Sequence, residues 1–217
     1  MILDAVRVGG LRPLPREGQR TGMYKVPVQG PVHVGRLGLA GDRQGDPTVH
    51  GGPDKAVHLY PSDHYPVLAE RRPDLAHLLV PGVLGENLSV RGLDEAGVCL
   101  GDTWAAGGVR LQVSQPRRPC WKIDHRLDTD GMVALVNELR RPGWYFRVVE
   151  EGELQAGDDF VLVDRPAPDL TVRGLLETYA EHRPDPDDLR RYALAPGLPA
   201  GWVDRLTRRA TWLDSLR

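Results

Sequence analysis

Residues 103–122, Thr103-Trp104-Ala105-Ala106-Gly107-Gly108-Val109-Arg110-Leu111-Gln112-Val113-Ser114-Gln115-Pro116-Arg117-Arg118-Pro119-Cys120-Trp121-Lys122, carry both signals on which the reading of this chain turns. The first half reads strand, glycines, strand: 103–104 and 109–113 are short aromatic or β-branched runs. The second half sets two prolines on either side of two arginines and presents one cysteine just after them. Moving outward, short strand patterns recur at 5–8, 23–28, 32–34, 87–90, 144–150 and 159–163, with Gly and Pro as punctuation. The chain holds 25 Gly and 19 Pro in 217 residues, about a fifth, which favours many turns and short elements. Helical signals in this part are few. Ser62 reads as the N-cap of a short helix with Pro66 in its first turn, and a turn or two follows over 73–79. The pattern at 130–140 is the clearest, because Met132, Leu135, Val136 and Leu139 fall on one face and Pro142-Gly143 stops it. Many short strands with few helices between them predict a mainly β, α+β domain over 1–165, closed or half-closed as a β-barrel.

At Arg165-Pro166-Ala167-Pro168 the texture changes to a stiff linker. Beyond it, Val172, Leu175, Leu176 and Tyr179 share a helical face. Leu189 and Tyr192 mark a second helix after Pro186, and Trp202, Leu206, Ala210 and Leu213 mark a third. Residues 169–217 are therefore expected to form a small three-helix C-terminal domain. Three short helices bury little alone, so they are expected to pack on the barrel or on a second subunit of a homodimer.

Composition excludes several classes. Twenty-eight Lys+Arg against 30 Asp+Glu give a formal net charge of −2, without the broad basic footprint of a binder of nucleic acid polymers. The longest apolar run, 132–136, is far short of the ~20 residues of a membrane span, and no signal core opens the chain. Two cysteines make no disulfide framework, so no membrane and a cytoplasmic setting are expected. Of the 28 basic residues only Lys25, Lys55 and Lys122 are lysine. An ammonium is not interchangeable with a guanidinium, and at least two of these three are expected in a site.

Four constellations carry chemistry. In His50-Gly51-Gly52-Pro53-Asp54-Lys55, adjacent glycines let backbone N–H groups approach an anion and the lysine adds a point charge, although the Walker A spacing is absent. His50, His58 and His64 with Asp46 fit no common zinc spacing. Glu86-Asn87 at a strand start can bond backbone or a polar heterocycle. In Ser114 to Lys122 the cations Arg117, Arg118 and Lys122 flank Cys120 and favour thiolate, which is a nucleophile, a redox group or a soft-metal ligand; Cys99, inside Val98-Cys99-Leu100, reads as a buried hydrophobe. Finally, Trp144 and Phe146 with Arg147 are either core or a surface that stacks on a planar ring.

At these motifs the sequence resembles the MOSC domain family, in its YiiM-like branch. The resemblance lies in 42–46, in His50-Gly51-Gly52 with Lys55-Ala56-Val57, in Tyr60-Pro61 with His64-Tyr65, and in Gly85-Glu86-Asn87-Leu88. It continues in Gln112-Val113-Ser114-Gln115-Pro116-Arg117 with Pro119-Cys120 and Lys122, and in Gly143-Trp144-Tyr145-Phe146-Arg147. It implies a MOSC-like β-barrel that binds molybdenum cofactor (molybdopterin), with Cys120 as the thiolate on the metal. His50, Gly51, Gly52, Lys55, Ser114, Gln115, Arg117, Arg118, Lys122 and Arg147 are then expected around the cofactor, with Glu86 and Asn87 on the pterin edge and Trp144 as a wall. It also implies reductive detoxification of N-hydroxylated bases such as hydroxylaminopurine. No flavin or iron–sulfur motif stands in the chain, so electrons are expected from an external flavin or iron–sulfur reductase. Two other readings stay open: a cofactor carrier without turnover, and sulfur transfer through a Cys120 persulfide. The pyridoxal phosphate domain of sulfurase relatives is not expected here.

Overall fold

The computed structural model describes residues 1–15 and 18–216, so 16 and 17 of the expected 1–165 unit and 217 of the expected 169–217 unit lie outside the described residues. The first strands are β1 (Leu3–Val8), β2 (Arg12–Pro13), β3 (Arg20–Thr21), β4 (Val26–Pro27), β5 (Val32–Gly35) and β6 (Gly38–Leu39). Helix α1 (Pro47–His50), strand β7 (Val57–Leu59), helix α2 (His64–Arg71), and strands β8 (Leu88–Val90), β9 (Thr103–Ala106) and β10 (Val109–Pro116) follow. Next come α3 (Lys122–Arg126), α4 (Met132–Glu138), β11 (Trp144–Glu150), β12 (Gly152–Leu154) and β13 (Phe160–Asp164). The chain ends in α5 (Val172–Ala180), α6 (Pro186–Ala193) and α7 (Ala200–Asp214).

Eight strands form one mixed sheet in the order β13-β9-β10-β11-β7-β8-β1-β4, antiparallel except where β7 and β8 run parallel. The sheet curls far enough for β1 to meet β13. The N–H of Leu3 donates to the Asp158 carbonyl at 2.9 Å and that of Phe160 to the Met1 carbonyl at 2.7 Å. Inward-facing residues of this sheet fill one core: Trp104 stacks on Phe160 with centroids 4.9 Å apart, and Phe146 lies edge-on to Phe160 at 6.2 Å. The architecture is thus mixed α+β, with seven α-helices among the described residues.

Local expectations hold unevenly. Strand 144–150 forms as read, whereas of 23–28 only Val26–Pro27 forms strand, with Val28 N–H adding a bond to the Val6 carbonyl at 2.9 Å. Strand β10 runs on through Pro116, which pairs Trp144 at the end of the ladder, where a missing N–H is tolerated. Asp63, not Ser62, precedes α2; the Ser62 hydroxyl instead donates to Asp4. The 130–140 helix is shorter, Met132–Glu138, because Gly131 in a left-handed conformation starts it. Helix α3 carried no clear periodicity and is missed by sequence.

The C-terminal helices form where expected. The Thr171 hydroxyl caps α5 by accepting from Gly174 N–H at 3.0 Å, and the Asp185 carboxylate caps α6 by accepting from Asp187 N–H at 3.0 Å. Their buried faces (Leu175, Leu189, Tyr192, Trp202, Leu206, Ala210 and Leu213) belong to the same apolar cluster as Leu3, Leu111 and Phe146 of the sheet. A continuous core couples helices to sheet. Leu206→Ala, at a fully buried position, is expected to cost about 2–5 kcal/mol and to lower the stability of the whole chain in a single denaturant transition. Two separated transitions by circular dichroism and tryptophan fluorescence would show instead that the helices unfold independently.

Candidate functional site

Cys120 sits half-buried where two cavities meet. The inner one, about 70 Å³, is walled by the loops after β3 and β6, by Asn87, and by the Arg117–Lys122 turn. The outer one, about 540 Å³, lies between the His50–Lys55 loop, the Arg118–Cys120 turn and the start of α7.

The turn that carries Cys120 is held from beneath. Arg117 N–H donates to the Gly143 carbonyl at 3.0 Å, and Gly143 N–H donates to the buried Glu95 carboxylate at 2.8 Å. Gly143 has φ +73°, and a Cβ there would stand 2.4 Å from the Leu59 carbonyl oxygen, so only glycine lets β11 leave at this point. On the other wall, a Cβ on Gly22 would stand 1.7 Å from the Arg43 carbonyl oxygen. The two loops of the inner cavity therefore touch backbone to backbone.

Electrostatics set the character of the site. Lys25, Arg43, Lys55, Arg117 and Lys122 line the inner cavity, and Asp42 is the sole carboxylate among its described lining residues. Asp42 is already engaged: it accepts from the Lys25 ammonium, from Gly9 N–H at 2.9 Å and from the Asn87 amide at 3.0 Å. Lys122 is buried with only the Arg20 carbonyl, 3.4 Å away, as acceptor, and the Nη1 of buried Arg117 has no hydrogen-bond partner among the described residues. Burial lowers the pKa of Lys25, against the opposing pull of Asp42. Burial, with Lys122, Arg117 and Lys55 nearby, lowers that of His50, and burial with Arg117 and Lys25 holds His58 well below the ordinary histidine range. The imidazoles favour the neutral form, and apart from Lys25 the lining cations have no carboxylate partner among the described residues. An anion fits this cavity.

The residues singled out by sequence divide between the site and its supports. Lys25, Lys55 and Lys122 all line the inner cavity, with His50, Asn87, Arg117 and Cys120. Gly51, Gly52, Gln115 and Arg118 line the outer one. Four others stand behind it. The Ser114 hydroxyl lies 2.6 Å from the Asp54 carbonyl and 3.0 Å from the Tyr145 carbonyl. Arg147 is a strut: its guanidinium donates to the Asp54 carboxylate, to Gln112 at 3.0 Å and to the Gly197 carbonyl at 2.8 Å. Glu86 is fully buried, accepting from the Tyr65 hydroxyl at 2.8 Å and from Gly82 N–H, and it lines neither cavity. Even Asn87 is committed to the fold, since its amide donates to Arg7 and Asp42 and its carbonyl accepts from His58 N–H at 3.1 Å. Glu86 thus lies behind the cavity, bonding through Oε1 while Oε2 has no partner among the described residues, and Asn87 reaches the cavity with its amide already engaged.

Trp144 requires a correction. It is fully buried in the core, with its ring edge-on to Phe146 at 6.4 Å, and Tyr145 takes the cavity wall. The reason is strand parity: on β11, 144 and 146 face one side and 145 and 147 the other. Sequence reasoning also missed Arg43, Gly22 and, from α7, Trp202 and Arg205. Tyr145 was within reach of the parity rule; the α7 residues had no local signal.

Two measurements test this electrostatic picture. Cys99 is buried, and desolvation raises its thiol pKa, while Cys120 is open to both cavities. Timed iodoacetamide labelling with peptide mapping is expected to modify Cys120 first; equal rates would contradict the geometry. Histidine linkage gives the second. The unfolded chain takes a proton on His58 near pH 6.5 while the folded chain, with its depressed pKa, does not. His58 therefore costs nothing above that pH, and stability falls as pH drops below it, by up to about 1.4 kcal/mol per pH unit. Denaturation of wild type and His58→Gln over pH 5 to 7.5 is expected to give a shallower acid slope in the variant, and parallel slopes would refute the assignment.

The chain matches known proteins along nearly all its length. Residues 46–161 match the MOSC domain. Protein YiiM of Escherichia coli (strain K12) is 37% identical over 205 residues, which cover 94% of this chain and 90% of that protein. A protein named "Reductase" from Gibberella moniliformis (strain M3125 / FGSC 7600) is 35% identical over 79% of this chain, though the match spans 31% of that longer protein. The crystal structure of YiiM from Geobacillus stearothermophilus superposes with a TM-score of 0.80 at 30% identity, covering 96% of this chain and 98% of that one. With a MOSC domain match over 46–161 and YiiM relatives that cover 94% and 96% of its length, this chain belongs to the MOSC domain family, in its YiiM-like branch.

Proposed function

We propose that the chain is a molybdenum cofactor-dependent reductase of N-hydroxylated bases, such as hydroxylaminopurine, with the Cys120 thiolate on the metal. The observation that carries this reading is one soft ligand at the junction of two cavities whose cations are short of anions. Among the described residues no group of three or more His, Cys, Asp or Glu is gathered to hold a bare metal ion. A single thiolate suits a metal that arrives with ligands of its own, and thiolate is a soft donor. When bound, the cofactor supplies two electrons that, with two protons, turn an N–OH group into an amine and water. Arg117 and Lys122 are placed to neutralise the anionic cofactor by the inner cavity, and Lys55 and Arg118 by the outer. His50, on both cavities and neutral, offers a hydrogen bond rather than a charge. The reductase name of the Gibberella relative supports oxidoreductase chemistry; in this reading electrons come from an external flavin or iron–sulfur reductase. In the same reading 1–165 is the MOSC β-barrel, supported by the backbone bonds that join β1 to β13, and 169–217 is the helical unit.

The test separates loading from turnover. Cys120→Ser exchanges a soft thiolate for a hard hydroxyl, and turnover of hydroxylaminopurine per bound molybdenum, with a chemical reductant, is expected to collapse. Lys122→Gln is expected to lower cofactor occupancy, through loss of charge-assisted bonds worth about 1.5–3 kcal/mol each, and to spare turnover per bound molybdenum. A Cys120→Ser protein with full turnover per molybdenum removes the thiolate mechanism. Wild type that binds cofactor and reduces no N-hydroxylated base leaves the carrier reading.

A further inference from the structure

Of the sequence motifs, Tyr60-Pro61 with His64-Tyr65 takes no part in the chemistry at Cys120, and His64 lines neither cavity. His64 opens α2 and is buried, with Tyr60 edge-on to its ring at 5.3 Å. Both ring nitrogens have partners. Nδ1 lies 3.2 Å from the Arg141 guanidinium, and Nε2 lies 2.8 Å from the fully buried Glu95 carboxylate. A guanidinium only donates, so Nδ1 accepts and the proton stands on Nε2, aimed at Glu95. The two neighbours fix one tautomer.

Two lines of donors converge on Glu95. From one side Arg141 acts through His64. From the other, Gly143 N–H donates to Glu95 Oε1 at 2.8 Å, and the Gly143 carbonyl accepts from Arg117 N–H at 3.0 Å. Arg141 and Gly143 flank Pro142, so one His64–Glu95 pair holds both ends of a three-residue segment whose middle member has no N–H. The Glu95 carbonyl adds a tie to the start of α5, accepting from Arg173 N–H at 2.8 Å. The Arg173 guanidinium itself stands 4.0 Å from the carboxylate, too far for a hydrogen bond. Loss of the His64 bond therefore leaves a buried carboxylate oxygen without a donor, and the carboxylate is free to turn away from Gly143.

We propose that His64, set by Arg141, is a positioning residue that acts through Glu95 and Gly143 on the backbone of the Arg117–Cys120 turn. It keeps the Arg117 guanidinium and the Cys120 thiol at fixed places relative to one another. Only the turnover part of its test rests on the reductase reading.

Amide hydrogen exchange reads this chain of bonds in cofactor-free protein. In His64→Ala the Gly143 and Arg117 amides are expected to exchange about tenfold faster relative to the amides of the sheet interior. Leu135→Ala is the control. It lies in the apolar cluster of Tyr60 and Tyr65, bonds to none of these groups through its side chain, and is expected to leave that ratio unchanged. His64→Gln, whose amide nitrogen can reach the same carboxylate oxygen, is expected to recover most of the protection. Arg141→Ala, at a half-buried position, is a milder break and is expected to show part of the loss. In protein from a cofactor-producing host, His64→Ala is expected to lower turnover of hydroxylaminopurine per bound molybdenum about tenfold at little changed KM, and His64→Gln to restore it. Equal exchange ratios in His64→Ala and Leu135→Ala overturn the proposal, as does His64→Gln behaving like His64→Ala. Faster exchange with unchanged turnover per molybdenum confines these bonds to the fold and also overturns it. A wild type inactive on every N-hydroxylated base fells the reductase reading instead. Cofactor occupancy then takes the place of turnover, and wild-type occupancy in His64→Ala overturns the proposal.

Discussion

Asp42 is the tie on which this site depends. Its side chain is almost wholly buried, and one carboxylate holds the Lys25 ammonium, the Gly9 N–H and the Asn87 amide. Those partners come from the end of β1, the approach to β4 and the approach to β8, so a single charge fixes three segments of the sheet against the 40–46 loop. A buried ion pair gains little over a well-packed apolar pair, yet removing one partner leaves an uncompensated charge and costs roughly 3–5 kcal/mol. Asp42 has further work to do, because it is the sole carboxylate among the described lining residues of a cavity with five basic side chains. With Lys25 neutralised, the others keep their charge for a ligand.

A cluster of cations is unfavourable by itself, and the fold bears that cost in its frame. Arg147 couples the Asp54 loop, β10 and the segment before α7 through one guanidinium. Glu95 and Gly143 hold the backbone under Arg117. The apolar cluster that runs from the sheet into α5, α6 and α7 keeps the third wall of the outer cavity in place. Of these, Trp202 in the apolar cluster reaches the outer cavity itself, while Arg147, Glu95 and Gly143 line neither cavity and set the position of residues that do. Preorganised donors of this kind need no rearrangement when an anion arrives.

How far the site was legible depends on whether its residues were announced by local pattern. Cys120, after two prolines that bracket two arginines and before Lys122, is such a pattern, and so is the survival of three lysines among 28 basic residues, all three at the inner cavity. Glu86 and Asn87 stand out as a polar pair at a strand start, and both bond within the fold. Trp144 was noticed as an aromatic, while the pleat of β11 sends it to the core and Tyr145 to the cavity. Parity along a strand was enough to separate 144 from 147, which no common face can hold.

The sequence by itself determined the short strands, the three C-terminal helices and the cationic turn around Cys120, because turn residues, 3.6-residue periodicity and flanking charge act within a few residues of chain. Only the tertiary structure decided that the sheet curls until β1 meets β13, that Lys25 and Arg117 share a cavity, and that Arg205 faces Lys55 and Arg118. Those juxtapositions join residues between 87 and 159 positions apart. They follow from burying one shared core and from pairing buried polar groups, and both are satisfied by the folded chain as a whole rather than by any segment of it.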